Sequence, residues 1–363
     1  MQSKIRILHI SQKEVTLKNK ISGIKTVLID EIEYENLNGI DSKIYSISRK
    51  IEENREKVIN EINYKKDIKK YNPDFIIFHG FYILEHIFIA KYLKKNNIPY
   101  YIKPHASFNK ASQKKSFFKK YLARKTFFDN YVNQSNGIIF LNEEERENSI
   151  YRKKNEIILS NGIKKKENSY LEKKKDRDKI NVIYLGRFDI YHKGLDRLLK
   201  LIKENEKYFN EKKIIFNFYG KFNNTKEKKF FLKEMRKNCI LNESVYGNEK
   251  EKVLEQGDIL VLLSRYEGMP MVILEALALG TPCFITKETG MGEWIKKYNC
   301  GWVVEDPDNI FKELKSFIKC YKKSKEMYIE NAKKCSEEFL WNNLIKIYLK
   351  KYGEIIRDEK HNL

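Results

Sequence analysis

The sequence predicts an α/β protein built from two parallel-sheet domains. Short apolar runs of strand length recur along it, several are followed by glycine-bearing turns, and amphipathic helical patterns follow those turns. The sharpest unit spans residues 258–286. Residues 258–263 are an apolar run, Gly268 and Pro270 supply a tight turn, and residues 272–279 read as a helix stopped by Gly280. Cys283, Phe284 and Ile285 then suggest another strand. Such βαβ units belong to parallel sheets, whose ligands gather at the carboxyl ends of the strands. Glu267 at the strand end and Glu275 inside the helix frame the turn. The backbone N–H groups of Met269, Pro270's neighbour Met271 and Val272 form a helix N-terminus able to receive a phosphate.

The string Glu267-Gly268-Met269-Pro270, with Glu275-Ala276 and Gly280-Thr281-Pro282 after it, resembles the retaining glycosyltransferases of family 4 (group 1). That resemblance implies the GT-B fold: two Rossmann-like domains facing each other across a cleft, with a C-terminal helix crossing back to the first. The expected boundaries are 1–165 for an acceptor-side domain, 166–178 for a linker of nearly all charged residues, 179–338 for a nucleotide-sugar domain and 339–363 for the returning helix.

In the first half, residues 4–10 read as the opening strand. Gly23 follows in the first loop, ahead of a helical pattern of Val27, Leu28, Ile32 and Leu37 closed near Gly39. Glycine there lets backbone approach a diphosphate. Residues 42–47, 74–79 and 99–103 are further strands, with a charged helical stretch at 51–70. The strand ending at Lys103 runs into Pro104-His105-Ala106-Ser107, similar to the P-H-G/A segment of the family, which implies that His105 lies against the donor sugar. Residues 110–128 interleave Lys114, Lys115, Lys119, Lys120, Arg124 and Lys125 with Phe117, Phe118, Tyr121, Leu122, Phe127 and Phe128. This pattern describes either an interfacial amphipathic helix or an ordinary helix packing its apolar face on the sheet. Residues 137–141 are another strand, and Asn142 with Glu143, Glu144 and Glu145 looks like a capped helix start. Ile157 to Leu159 with Asn161-Gly162 resembles the signature closing the first domain, with Ser160 in place of the usual proline.

The second half opens with the strand 181–185, then Gly186-Arg187 and, after five residues, Lys193-Gly194 ahead of the helical Leu195, Leu198, Leu199 and Ile202. Two cations at a strand end suit a diphosphate leaving group. Residues 214–220 are the next strand. The family places backbone near Tyr246 and Gly247 against the nucleotide base. Trp302-Val303-Val304 and a long helical region from Asn309 complete the domain, and residues 339–352 resemble the returning helix.

Composition agrees with a folded protein: 41% of the 363 residues are hydrophobic and 13% aromatic. Five scattered cysteines without a C-x-x-C argue against a disulfide framework or zinc site and fit a reducing compartment. The opening MQSKIRILHIS reads as a strand rather than a signal peptide, and no apolar run nears the roughly 18 residues of a membrane span. The expected place is the cytoplasm, and the inner face of the cell membrane if residues 110–128 are interfacial. The net charge of +22 comes from lysine spread along the chain. No zinc finger, RNP-like motif or basic-region heptad accompanies it, so nucleic acid is not an expected partner.

The resemblance implies transfer of a sugar from a UDP- or GDP-sugar to a hydroxyl of a lipid-linked glycan acceptor, with retention, in surface polysaccharide synthesis. Arg187, Lys193 and the helix N-terminus near Val272 would stabilise the leaving diphosphate without a metal; Glu267 would hold sugar hydroxyls and Glu275 the ribose. The competing expectations are a nucleotide-sugar 2-epimerase, a phosphorylase, or a catalytically silent partner subunit that keeps the fold.

Overall fold

The computed structural model describes residues 4–11, 23–47, 64–114, 116–166 and 179–361. The chain divides into two compact units: Met1–Gly162 with Trp341–Leu363, and Ile163–Leu340. The expected linker lies outside the described residues except for Lys166, which pairs with Glu251. The charged stretch 51–70 is described only from Tyr64, where a helix runs to Tyr71.

The N-terminal unit is built on a six-stranded sheet of β1 (Arg6–Ser11), β2 (Asp41–Ser46), β3 (Phe75–His79), β4 (Tyr100–Lys103), β5 (Gly137–Phe140) and β6 (Glu156–Ile158), in the order β2-β1-β3-β4-β5-β6. Every pairing is parallel. The central strands are apolar without alternation, and β3 (FIIFH) and β4 (YYIK) are buried throughout, as strands covered on both faces must be. The helix Trp341–His361 belongs to this unit. Its Trp341, Tyr348, Tyr352 and Ile355 are buried, a spacing that places them along one helical face. Trp341 stacks on Tyr34 at 5.8 Å between ring centroids. A Cβ at Gly162 would sit 2.5 Å from the Trp341 indole, so the Asn161-Gly162 pair has its glycine where only a hydrogen fits.

The C-terminal unit carries β7 (Ile180–Leu185), β8 (Ile214–Tyr219), β9 (Cys239–Asn242), β10 (Ile259–Leu262), β11 (Cys283–Thr286) and β12 (Gly301–Val304), in the order β12-β11-β10-β7-β8-β9, again all parallel. The order reverses at β7 and β10, so the loops after those two strands diverge and leave room at their carboxyl ends. All five cysteines are free thiols. No described helix is long and apolar enough to cross a membrane.

One expectation needs correction. Residues 110–128 do not form a single helix: they break into Lys110–Lys114, Phe117–Ala123 and a π-helical turn Arg124–Phe128. Ser116, at φ 60°, is left-handed and cannot continue an α-helix. Of the bulky apolar residues the sequence singles out here, Phe128 is buried while Phe117, Phe118, Tyr121, Leu122 and Phe127 are exposed, Phe118 at 84% and Leu122 at 64%. The segment does not pack that apolar set on the sheet.

A buried ion pair ties the N-terminal unit together. Lys103 at the end of β4 donates to both carboxylate oxygens of Glu31, at 3.0 and 2.9 Å, and to the Tyr348 hydroxyl at 3.2 Å. Both charged side chains are essentially inaccessible. Replacing one member leaves the other charged and unpaired in a dry interior. Glu31→Leu is therefore expected to cost about 3–5 kcal/mol of unfolding free energy, measured by urea denaturation followed by tryptophan fluorescence; a loss under about 1 kcal/mol would show the pair to be dispensable.

Candidate functional site

In the C-terminal unit the loop after β7 and the loop after β10 form one polar cluster. Tyr184 in β7 donates its hydroxyl to the carbonyl of Arg187 at 2.8 Å, fixing the backbone as it leaves the strand. The Arg187 side chain is 58% exposed, its guanidinium 3.9 Å from Asp189. Asp189 is itself buried and accepts the His192 backbone N–H at 3.1 Å. Gly194 then turns the chain at φ 66°, and a Cβ there would lie 1.9 Å from the carbonyl of Leu263. Glycine thus allows the Lys193-Gly194 backbone to lie directly on the end of β10, and the helix Leu195–Glu204 starts from that contact.

The β10 loop meets it with a carboxylate. Lys193 donates to Glu267 Oε1 at 2.6 Å and Ser264 donates to the same oxygen at 2.8 Å. His192 Nε2 lies 3.7 Å from that oxygen and 2.8 Å from the carbonyl of Tyr266, which can only accept, so Nε2 carries a proton. The His192 ring stacks on Tyr266 at 4.0 Å. Arg265 makes a two-pronged bond to Asp196 at 2.8 and 2.7 Å, a second tie between the loops. Burial pushes the Glu267 carboxyl up, but the Lys193 charge, the His192 ring beside it and the hydrogen bonds from Lys193 and Ser264 outweigh it and hold it below its ordinary value. Glu267 is therefore a carboxylate at neutral pH. Its contribution to stability is complete above the ordinary carboxylate pKa and fades as pH falls below it.

Gly268, Met269 and Pro270 are buried, and the helix Met271–Ala278 follows. The leading amides of such a helix, those of Met271 and Val272 here, have no intrahelical acceptor. Glu275, one turn in, pairs with Lys250 from the helix Gly247–Gln256. Gly247 begins that helix at φ 54°, and Tyr246 beside it is exposed. The structure thus gathers Lys193, Glu267 and the start of the Met271 helix. Arg187 stands on the same loop as Lys193 without bonding Glu267.

Gly23 and His105 belong to the N-terminal unit. Gly23 is the first residue of the helix Gly23–Leu37. His105 follows β4 with φ 49°, and Ala106 has φ 66°: two successive non-glycine residues in the left-handed region, a conformation costing roughly 1–3 kcal/mol each. Two contacts hold it: the Ala106 N–H donates to buried Glu145, and His105 Nε2 lies 3.0 Å from His79 Nδ1. Burial and the nearby Lys103 charge pull the His105 imidazole down to about 3, so it is neutral at physiological pH. Burial pushes Glu145 up to about 7.

Sequence reasoning missed Lys250, Ser264, His192 and Glu145 as parts of these sites. Glu145 did carry a signal: Asn142 caps its helix by accepting the Glu145 N–H at 2.7 Å, the residue three positions on whose carboxylate then reaches back to the Leu141 N–H. Lys250 carried none, being one lysine among many.

Residues 165–335 match the family described as glycosyl transferases group 1. Those residues form a group 1 glycosyltransferase domain. An uncharacterized glycosyltransferase of Methanocaldococcus jannaschii is 28% identical over 172 residues, 47% of this chain and 43% of that protein. The UDP-Gal:alpha-D-GlcNAc-diphosphoundecaprenol alpha-1,3-galactosyltransferase of Escherichia coli is 35% identical over 60 residues, 16% of each chain. The match to the first relative thus spans less than half of its length. Sucrose-phosphate synthase from Thermosynechococcus elongatus superposes with a TM-score of 0.70 at 14% identity, covering 98% of this chain and all of the other. That likeness gives the fold, GT-B, and the group 1 domain holds the Arg187, Lys193 and Glu267 cluster.

Proposed function

We propose that this protein transfers a sugar, with retention of anomeric configuration, from a UDP- or GDP-sugar to a hydroxyl of a lipid-linked glycan acceptor. The observation that carries the proposal is the Lys193–Glu267 pair at the joined ends of β7 and β10, with exposed Arg187 on one side and the Met271–Ala278 helix N-terminus on the other. This is one anion and two cations on loops beside the first turn of a helix, inside a group 1 domain. As the glycosidic bond breaks, negative charge builds on the leaving diphosphate. Arg187, Lys193 and the Met271 and Val272 amides lie at a site able to offset it without reorganising, and such preorganised groups make divalent metal unnecessary. Glu267, held ionised, then serves the sugar hydroxyls and Glu275 the ribose, with Gly268, Met269 and Pro270 shaping the turn and Tyr246 and Gly247 beside the base. His105, which the family resemblance assigns to the donor sugar, completes the proposed set. A leaving phosphate oxygen takes the proton of the attacking hydroxyl, so no enzymic nucleophile is needed.

The lipid-linked acceptor is supported by the 110–128 segment, whose exposed Phe117, Phe118, Tyr121, Leu122 and Phe127 stand among Lys114, Lys119 and Lys125, themselves exposed. Aromatic and aliphatic side chains among lysines suit an anionic bilayer surface. The relative from Escherichia coli that acts on a diphosphoundecaprenol substrate points the same way.

Two outcomes are expected. Arg187→Ala and Lys193→Ala should each lower turnover about 10²–10³-fold in a donor-panel assay run with EDTA, and wild-type rates in both would remove the diphosphate assignment. Replacing Phe118 and Leu122 with Ser, together with Lys114 and Lys119 with Glu, should abolish co-flotation with liposomes rich in phosphatidylglycerol at low salt. Wild-type protein that stays in the soluble fraction under those conditions would argue for a water-soluble acceptor.

A further inference from the structure

Behind His105 the N-terminal unit buries a row of ionisable groups that the proposed chemistry leaves unused. His105 Nε2 lies 3.0 Å from His79 Nδ1, His79 Nε2 lies 2.9 Å from His9 Nδ1, and His9 Nε2 lies 3.0 Å from Glu35 Oε2. The rings follow one another with centroids 5.3 and 5.2 Å apart. His79, His9 and Glu35 are all but inaccessible. The far end is closed: Glu35 also accepts from Ser42 Oγ at 2.5 Å and from the Tyr352 hydroxyl at 2.7 Å. These groups run in line from β4 through β3 and β1 to the Gly23–Leu37 helix. They do not converge as a metal-binding cluster, and none of that kind occurs among the described residues.

We propose that Glu35, His9 and His79 are positioning residues that fix the tautomer of His105, so that its Nδ1 is left as a lone-pair acceptor for a substrate hydroxyl. The direction of the chain follows from its anchor. Burial raises the Glu35 carboxyl, but the His9, Ser42 and Tyr352 contacts together bring it below its ordinary value, so it is ionised and its oxygens only accept. His9 Nε2 therefore carries hydrogen. With Ser42 and Tyr352 already donating to Glu35, that carboxylate has its donors without a second proton on the ring. His79 is neutral, lowered well below its ordinary value by burial first and further by the basic groups His9, His105, Lys103 and His86 around it. In the proposed arrangement His9 has its one hydrogen on Nε2, so its Nδ1 accepts from His79 Nε2–H, His79 Nδ1 accepts from His105 Nε2–H, and His105 Nδ1 is left as an acceptor. A neutral imidazole free in solution divides between two tautomers and could donate or accept at that position; here one carboxylate, three rings away, chooses. The same contact orients the ring on a backbone strained at His105 and Ala106.

This inference rests on the proposed sugar site for its ligand but not for its tautomer, and the two fail separately. The protein has six histidines, few enough for long-range proton–nitrogen correlation spectra of protein labelled with ¹⁵N-histidine, assigned by single substitutions. Wild type is expected to show His105 with hydrogen on Nε2 and a bare Nδ1 at neutral pH. His79→Phe, which keeps a ring and removes both nitrogens, and Glu35→Gln, which keeps the shape and removes the charge, are expected to give mixed His105 tautomers. Both should lower kcat/KM for the donor sugar about three- to tenfold while nucleoside diphosphate affinity stays unchanged. Hydrogen on Nδ1 of His105 in wild type would mean that the chain runs outward from a protonated His9 and would overturn the proposal. So would a His105 tautomer that persists in both variants. If either variant fails to fold, the wild-type spectrum still decides the direction. Correct tautomers in a protein that binds no nucleotide sugar would count against the proposed function alone.

Discussion

The Lys193–Glu267 ion pair is the contact on which the group 1 domain's site depends. It joins loops that leave the sheet after β7 and β10, the two strands between which the connection order reverses. Parallel-sheet geometry opens a crevice there; it does not by itself place charge in it. Gly194 lets one loop lie against the carbonyl of Leu263, and Arg265 grips Asp196 from the other side. Ser264 then adds a second donor to Glu267. Each contact is short in reach, and together they hold a cation and an anion at the mouth of a helix. In the proposed reaction a diphosphate entering this place would meet a lysine already held by its loop, the circumstance in which electrostatics lowers a barrier most.

The N-terminal unit solves a different problem, that of keeping one imidazole aimed from a strained turn. Glu145 secures the backbone at Ala106, and the row of His79, His9 and Glu35 secures the ring. Beside it, Lys103 and Glu31 neutralise each other in the core and tie β4 to the Gly23–Leu37 helix. Two buried carboxylates therefore serve different ends: Glu31 offsets a charge, while Glu35 sets a hydrogen-bond direction.

Strands β3, β4, β5 and β10 were legible in the sequence because strands covered on both faces are near-continuous apolar runs, β7 and β8 because their runs are broken only by one asparagine each, and the Gly268–Pro270 turn and Asn142 cap carry residue types with a local reason to be there. Legibility ended where the partner lies far along the chain. Glu35 meets Tyr352, Lys250 meets Glu275, and His9 meets His79, and no periodicity links such positions. Residues 110–128 failed in another way. Their spacing fits a helix, but one left-handed serine breaks it, and hydrophobic pattern does not report a single backbone angle.

The central claim is that this domain binds a nucleoside diphosphate through fixed cations. Calorimetric titration of the wild-type protein in EDTA, with UDP, GDP and their monophosphates, tests it most directly. The account predicts that one diphosphate binds about tenfold or more tightly than its monophosphate, since a charge-assisted hydrogen bond contributes about 1.5–3 kcal/mol, and that added magnesium leaves the affinity unchanged. Equal affinity for mono- and diphosphate, or binding only with magnesium present, would contradict it.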